Sequence, residues 1–186
     1  MLKKLLDWDT DTFIYLNSLG AEPYDFFWSI LTNIFTWTPL FLLFAILLFI
    51  NYSKREALFM AFTIIALAIF ITIFTEVTKE LVGRLRPNNN EEINTFIRIL
   101  KNPPTLSFFS GHAASSFSIT TLVVLFLRKK TYWVLTFYLW PLFFAYSRIY
   151  IGVHYPLDIL VGALVGSLTA YIFYQSYKRI RAPYLR

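Results

Sequence analysis

Between Pro39 and Ile50 the chain reads PLFLLFAILLFI, a run with no polar residue on any face of a helix. A soluble amphipathic helix needs such a face. The same character recurs in Phe26 to Ile50, Ala57 to Val77, Ala113 to Leu127 with its flanks, and Leu157 to Tyr177. Each approaches the roughly 20 residues that a helix needs to cross about 30 Å of hydrocarbon. A fifth run, Tyr132 to Tyr146, carries Pro141 in its middle, which a membrane helix tolerates because neighbouring groups satisfy the freed carbonyl. With 57% hydrophobic and 20% aromatic residues among 186, an ordinary soluble fold is excluded. The expected fold is all-α, a polytopic membrane helix bundle forming one domain over residues 1–186, with five transmembrane helices and an amphipathic N-terminal helix.

That N-terminal helix is expected within residues 1–20. Asp7, Asp9 and Asp11 interrupt any apolar stretch of signal-peptide length. Leu2, Leu5, Leu6, Phe13 and Leu16 approximate one helical face, which suits a helix lying in the interface, although a sixth span is an open alternative. The absence of cysteine removes disulfide and thiol chemistry. Charge orients the bundle: Lys54, Arg55, Arg128, Lys129, Lys130, Lys178, Arg179, Arg181 and Arg186 fall at one set of span ends with Glu56 as the only acid. By the positive-inside tendency that end is cytoplasmic. The basic residues divide between two membrane faces and no span carries a continuous basic stripe, so nucleic acid is not an expected partner.

Both histidines, His112 and His154, lie at the opposite ends of the spans, and so do Lys79, Arg86, Arg148 and Asp158. Taken singly, each has an ordinary explanation, such as Lys79 snorkelling or pairing with Glu76. Their convergence is what points to chemistry. Lys79 and Arg86 are seven residues apart, near one face of a continuing helix, and Arg148 adds a planar fork suited to phosphate oxygens. Ser110 is placed to cap the helix that begins with Gly111 and His112, and its amides would face an anion that Gly111 allows to approach closely. Pro156 suits the first position of the last helix and leaves His154 just outside it, with Asp158 in the first turn. A hydrogen bond to Asp158 would fix the His154 tautomer and free its other nitrogen as a nucleophile. His112, across the anion, could protonate the departing oxygen and then take a proton from water.

Lys79 with Arg86-Pro87, Ser110-Gly111-His112, and Ser147-Arg148 with His154 and Asp158 together resemble the type-2 phosphatidic acid phosphatase family, relatives of glucose-6-phosphatase and the vanadium haloperoxidases. The resemblance covers Lys79 to Asp158. It implies that His154 forms a phosphohistidine, that Asp158 assists it, that His112 is the acid, and that Lys79, Arg86, Ser110, Gly111 and Arg148 hold the phosphate. It also implies chemistry without a metal or another cofactor; with the orientation read from charge, the expected location is a bacterial inner membrane with the site on the extracytoplasmic side. Phe109 stands where the family's second motif usually has proline.

The implied substrate is a lipid phosphomonoester or diphosphate, with undecaprenyl diphosphate, phosphatidylglycerophosphate and lipid A phosphate as candidates. Transfer to another lipid, or anion transport without chemistry, are the alternatives; only chemistry requires the His154 and Asp158 pair. The connection 84–107 is expected to be an extracytoplasmic loop in which Ile93, Phe96, Ile97 and Leu100 line a short amphipathic helix bordering lipid access. Gly162 and Gly166 suggest close helix packing. Oligomeric state is not legible.

Overall fold

The computed structural model describes residues 1–131 and 133–184. Its helices are α1 (Leu2–Ser18), α2 (Asp25–Leu31), α3 (Thr38–Asn51), α4 (Lys54–Val82), α5 (Gly111–Leu127), α6 (Leu139–Tyr150) and α7 (Pro156–Tyr184), and no strand occurs among the described residues. The segments Ile34–Asn51, Lys54–Asn89 and Pro156–Arg181 are long and apolar enough to cross a bilayer, and α5 is a shorter apolar helix. The outward faces of α3, α4 and α7 expose Leu42 and Ile46, Phe62, Ile65, Ile69 and Ile73, and Leu164, Leu168 and Ile172. Unbroken apolar stripes of this extent suit lipid rather than water. The chain is a membrane protein.

α5 lies at the centre, its Ala113, Ala114, Leu122, Val123 and Leu127 without solvent contact. Its closest neighbour is α7, and the sequence shows why. A Cβ on Gly162 would lie 2.7 Å from the Ser110 carbonyl oxygen, and one on Gly166 would overlap the carbonyl of Ala114. Backbone therefore packs on backbone, and the two helix starts are tied directly by Ser110 N–H donating to the Asp158 carbonyl at 2.9 Å. Replacing Gly166 with leucine is expected to force the pair apart at a cost of about 1–3 kcal/mol, read as a lower apparent Tm in detergent; an unchanged Tm would contradict this packing.

Several elements differ from the sequence-based expectation. The run Phe26 to Ile50 is not one helix but α2, a 3-10 turn at Ile34–Trp37 and α3. Asn33 adopts an extended backbone and its side chain accepts from Phe35 N–H, a local bond that competes with helix continuation. Trp37 Nε1 donating to the Leu31 carbonyl at 2.9 Å holds the bend. In the run Tyr132 to Tyr146, Tyr132 lies outside the described residues. A 3-10 turn spans Trp133–Tyr138 and α6 starts at Leu139, so Pro141 sits in a first turn, where a missing N–H costs little. Lys79 and Arg86 do not share a helix face, because α4 ends at Gly83 in the left-handed conformation, φ 67°. Arg86, before a proline, is extended.

The connection 84–107 contains turns rather than the expected amphipathic helix. Asn90 starts a local turn by accepting from Glu92 N–H at 3.2 Å, and its apolar residues diverge: Ile93 packs with Phe13, Ile149 and Tyr155, whereas Phe96 is exposed. The segment is anchored. Asn17 of α1 accepts from Arg98 N–H at 2.7 Å and donates to the carbonyls of Ile149 and Arg98, each at 3.0 Å. At the other end of the bundle, Arg181 pairs with Glu56 at 2.6 Å, which gathers the start of α4 and the end of α7 on the basic side.

Candidate functional site

Three turns converge where α4, α5, α6 and α7 meet: the exit from α4, the Ser110 cap of α5 and the link from α6 to α7. Ser110 caps α5 by accepting from Ala113 N–H at 3.4 Å, which sets His112 in the first turn. Gly111 faces Thr75 across α4, whose methyl would be 3.1 Å from an added Cβ. Pro156 starts α7, with Asp158 in its first turn and His154 immediately before it.

His154 is 1% exposed. Its Nε2 lies 3.0 Å from Arg86 Nη1. A guanidinium can only donate, so Nε2 accepts and the ring proton resides on Nδ1. That Nδ1 is 3.4 Å from Asp158 Oδ2, longer than an ideal hydrogen bond, and Ser107 Oγ, which bonds the same carboxylate oxygen, stands 3.4 Å from it as well. Asp158 also accepts from Tyr155 N–H at 3.0 Å. Burial holds the His154 pKa well below the ordinary imidazole value, and the charges of Arg86, Arg148 and Lys79 push it further in the same direction. With Nε2 facing a guanidinium donor, the geometry matches a neutral ring.

Arg86 is fixed by donating from Nε to the Thr105 carbonyl at 2.8 Å and from Nη1 to that of Val153 at 3.1 Å. Arg148, 5% exposed, donates to Thr32 Oγ1 at 2.6 Å, while its Nε is buried with no partner among the described residues. A buried unpaired guanidinium donor is costly and calls for an acceptor. Lys79 is held 2.7 Å from Glu76. Two cavities open beside these groups and share Ile34 and His112 as walls. The first, about 270 Å³, is lined by Thr72, Thr75, Glu76, Lys79, Gly111, Ser115 and Phe144. The second, about 480 Å³, is lined by Thr32, Asn33, Lys101, Asn102, Pro103 and Arg148.

All the residues expected from the sequence thus lie at one end of the bundle: Lys79, Gly111 and His112 around one cavity, Arg148 and His112 around its neighbour, and Arg86 hydrogen-bonded to His154 with Asp158 3.4 Å from its other ring nitrogen. Ser110 is the exception in kind, since its Oγ is engaged as a helix cap. Sequence reasoning missed Ser107, Thr32, Arg84 and Asp9. Arg84 donates to Asp158 Oδ1 at 2.8 Å and to Asp9 Oδ2 at 2.6 Å, with its guanidinium carbon 3.9 Å from the Tyr155 ring centroid. A signal was present for Asp9: Leu2, Leu5, Leu6, Phe13 and Leu16 form one stripe, and Asp9 falls on it.

A family model described as the PAP2 superfamily matches residues 56–182. The lipid A 4'-phosphatase of Bacteroides thetaiotaomicron is 31% identical over 94% of this chain and 79% of its own length. The undecaprenyl-diphosphatase of Sulfolobus acidocaldarius is 29% identical over 76% of this chain and 63% of its own. Among solved structures, a PAP2-type phosphatidylglycerolphosphate phosphatase from Bacillus subtilis shares the fold at a TM-score of 0.75 and 18% identity, over 98% of this chain and 90% of that one. The chain is therefore a member of the PAP2 superfamily and a phosphatase.

Proposed function

We propose that the protein hydrolyses a lipid phosphomonoester or diphosphate through a phosphohistidine at His154. The observation that carries this reading is the Nε2 face of His154, where a neutral, oriented lone pair points at Arg86 with the charges of Arg148 and Lys79 nearby. A phosphoryl group entering there gives Arg86 oxygen acceptors in place of the ring nitrogen and sets its phosphorus before the freed Nε2 lone pair. Lys79, Arg86 and Arg148 neutralise its oxygens, with the α5 amides at Gly111 and His112 adding positive dipole. The Nε2 lone pair attacks phosphorus, the bond from phosphorus to the lipid oxygen breaks, and His112 donates a proton to that oxygen. His112 then takes a proton from water, the resulting hydroxide attacks phosphorus, and the P–N bond breaks to release phosphate and restore His154. Asp158 steadies the imidazolium character that develops on the ring.

The cavity beside Thr72, Thr75 and Phe144 opens between helices, which suits lateral access for a lipid chain. The larger cavity, with Lys101, Asn102 and Thr32, suits the polar headgroup. The named activities of the relatives support lipid A phosphate as the first substrate to test. Undecaprenyl diphosphate is the second reading, favoured by Lys101 and Arg148 standing together as cations on the wall of the larger cavity. On this reading five membrane spans place the site outside the cytoplasm, and α1 packs against that end without crossing. Purified protein is incubated with liposomes of lipid A, undecaprenyl diphosphate or phosphatidylglycerophosphate and released phosphate is measured, beside His154→Gln. Release by neither form with anion binding retained would favour transport.

The reading has a pH signature. A lowered pKa means that His154 sheds its proton at lower pH, so the loss of activity that belongs to His154 comes as pH falls through that lowered value. The acid limb of kcat/KM, which reports the free enzyme, is expected below the ordinary imidazole value of about 6.5. Lys79→Met removes a cation that depresses it and is expected to move the limb upward. Comparing both proteins on one substrate cancels the ionisation of the substrate itself; an unmoved limb would count against His154 as the base form measured.

A further inference from the structure

The N-terminal helix lies outside the segment matched by the family model, which starts at residue 56, yet one of its side chains reaches Arg84 and the start of α7 behind the site. Asp9 has no solvent exposure. Its two oxygens do different things. Oδ1 accepts from Leu157 N–H at 2.8 Å, an orphan donor in the first turn of α7. Oδ2 accepts from Arg84 Nη2 at 2.6 Å, while Nη1 of the same guanidinium donates to Asp158 Oδ1 at 2.8 Å.

We infer that Asp9 is a positioning residue for the phosphatase reaction, acting through Arg84 on Asp158. A guanidinium bonded only to Asp158 could rotate about that contact. Bonded to a carboxylate on each side and stacked 3.9 Å over Tyr155, it is held in one plane. That plane fixes Asp158 Oδ1, and the other carboxylate oxygen is thereby aimed at Ser107 and at His154 Nδ1. Tyr155 is itself tethered by Asn90 Nδ2 donating to its hydroxyl at 3.3 Å. Asp9 touches neither the anion cavity nor His154, so its effect is on the orientation of the nucleophile and not on substrate binding. The helix carrying it is locked in register by Asn17, eight residues on, which grips the end of α6 and the Arg98 segment.

This inference rests on the proposed roles of His154 and Asp158. Its test is a double-mutant cycle in the full-length protein with Asp9→Asn and Arg84→Lys. Asparagine keeps the volume and an acceptor for Leu157 N–H but removes the charge that holds the guanidinium; lysine removes the fork that joins the two acids. Asp9→Asn is expected to lower kcat about tenfold with KM changed less than about twofold. In the Arg84→Lys background the same change is expected to add less than about threefold, because residues acting as one unit are not additive. Asp9→Glu, which restores the charge, is expected to recover part of the loss. Independent, multiplying losses, or a lowered Tm with an unchanged kcat in the folded protein, would overturn the inference and leave Asp9 as a packing group. His154→Gln is run in parallel: if it keeps turnover, the site reading falls and the role of Asp9 with it, whereas an unchanged Asp9→Asn kcat beside an inactive His154→Gln removes the Asp9 role alone.

Discussion

His154→Gln is expected to lower lipid-phosphate turnover by on the order of 10⁴-fold or more, the scale seen when a covalent nucleophile is removed, equivalent to about 5.5 kcal/mol of transition-state stabilisation. The size follows from geometry. Among the described residues, His154 is the only imidazole placed between a cation hydrogen-bonded to one ring nitrogen and the Asp158 and Ser107 pair 3.4 Å from the other. Glutamine preserves polarity and much of the volume but offers no comparable nucleophile. His112 gives the complementary result. With an aryl phosphate, whose leaving group needs no proton, His112→Gln should still be phosphorylated but should hydrolyse the intermediate slowly. The measurement is acid-labile, alkali-stable phosphate on the protein, accumulating in His112→Gln and absent in His154→Gln. Label on both variants alike would remove His154 from the nucleophile's place.

Arg84→Ala is the second large expectation, and here stability and activity fall together. Asp9 and Asp158 are both without solvent exposure, and Arg84 lies between them with a side chain only 17% exposed. Removing one partner of a buried ionic group leaves uncompensated charge and commonly costs about 3–5 kcal/mol. Two carboxylates are stranded here instead of one, and they repel each other. Asp9 already has its pKa raised by burial, opposed by the Leu157 N–H and by Arg84, so losing the guanidinium should raise it further. The sign for folding follows: a carboxyl whose folded pKa lies above its unfolded value takes up protons more readily when folded, so the variant should be relatively less unstable at acid pH and lose ground as pH rises. Apparent Tm in detergent across acid to neutral pH checks this, and a wild-type Tm throughout would show that the bridge contributes little.

Much of the site was legible because its parts are local. The cap at Ser110, the proline start at Pro156 and the spacing from His154 to Asp158 depend on backbone geometry within a turn or two, and such geometry is set by neighbouring residue types. The break at Asn33 was less legible. An apolar run looks continuous to hydropathy, whereas one side-chain bond to Phe35 N–H ends the helix and delivers Thr32 to Arg148. The connection 84–107 misled for a related reason: Ile93, Phe96, Ile97 and Leu100 have helical spacing, but partners on α1 and α6 bury some and leave Phe96 out, and propensity yields to packing. Arg84 looked like one more basic residue in GRLRP, and Asp9 like an interruption of an apolar stretch.

By itself, the order of residues determined an all-helical membrane chain, the helix starts that carry His112 and Asp158, and a group of cations and histidines at one end of the bundle. Periodicity, caps and charge placement act over a few residues and need no partner. Tertiary structure decided which acid faces which base: that Arg84 joins Asp9 to Asp158, that Ser107 shares the Asp158 oxygen, and that Arg86 meets the free nitrogen of His154. The worth of a charge depends on its distance from water and from other charges, and both distances are set only once α1, α4 and α7 have packed.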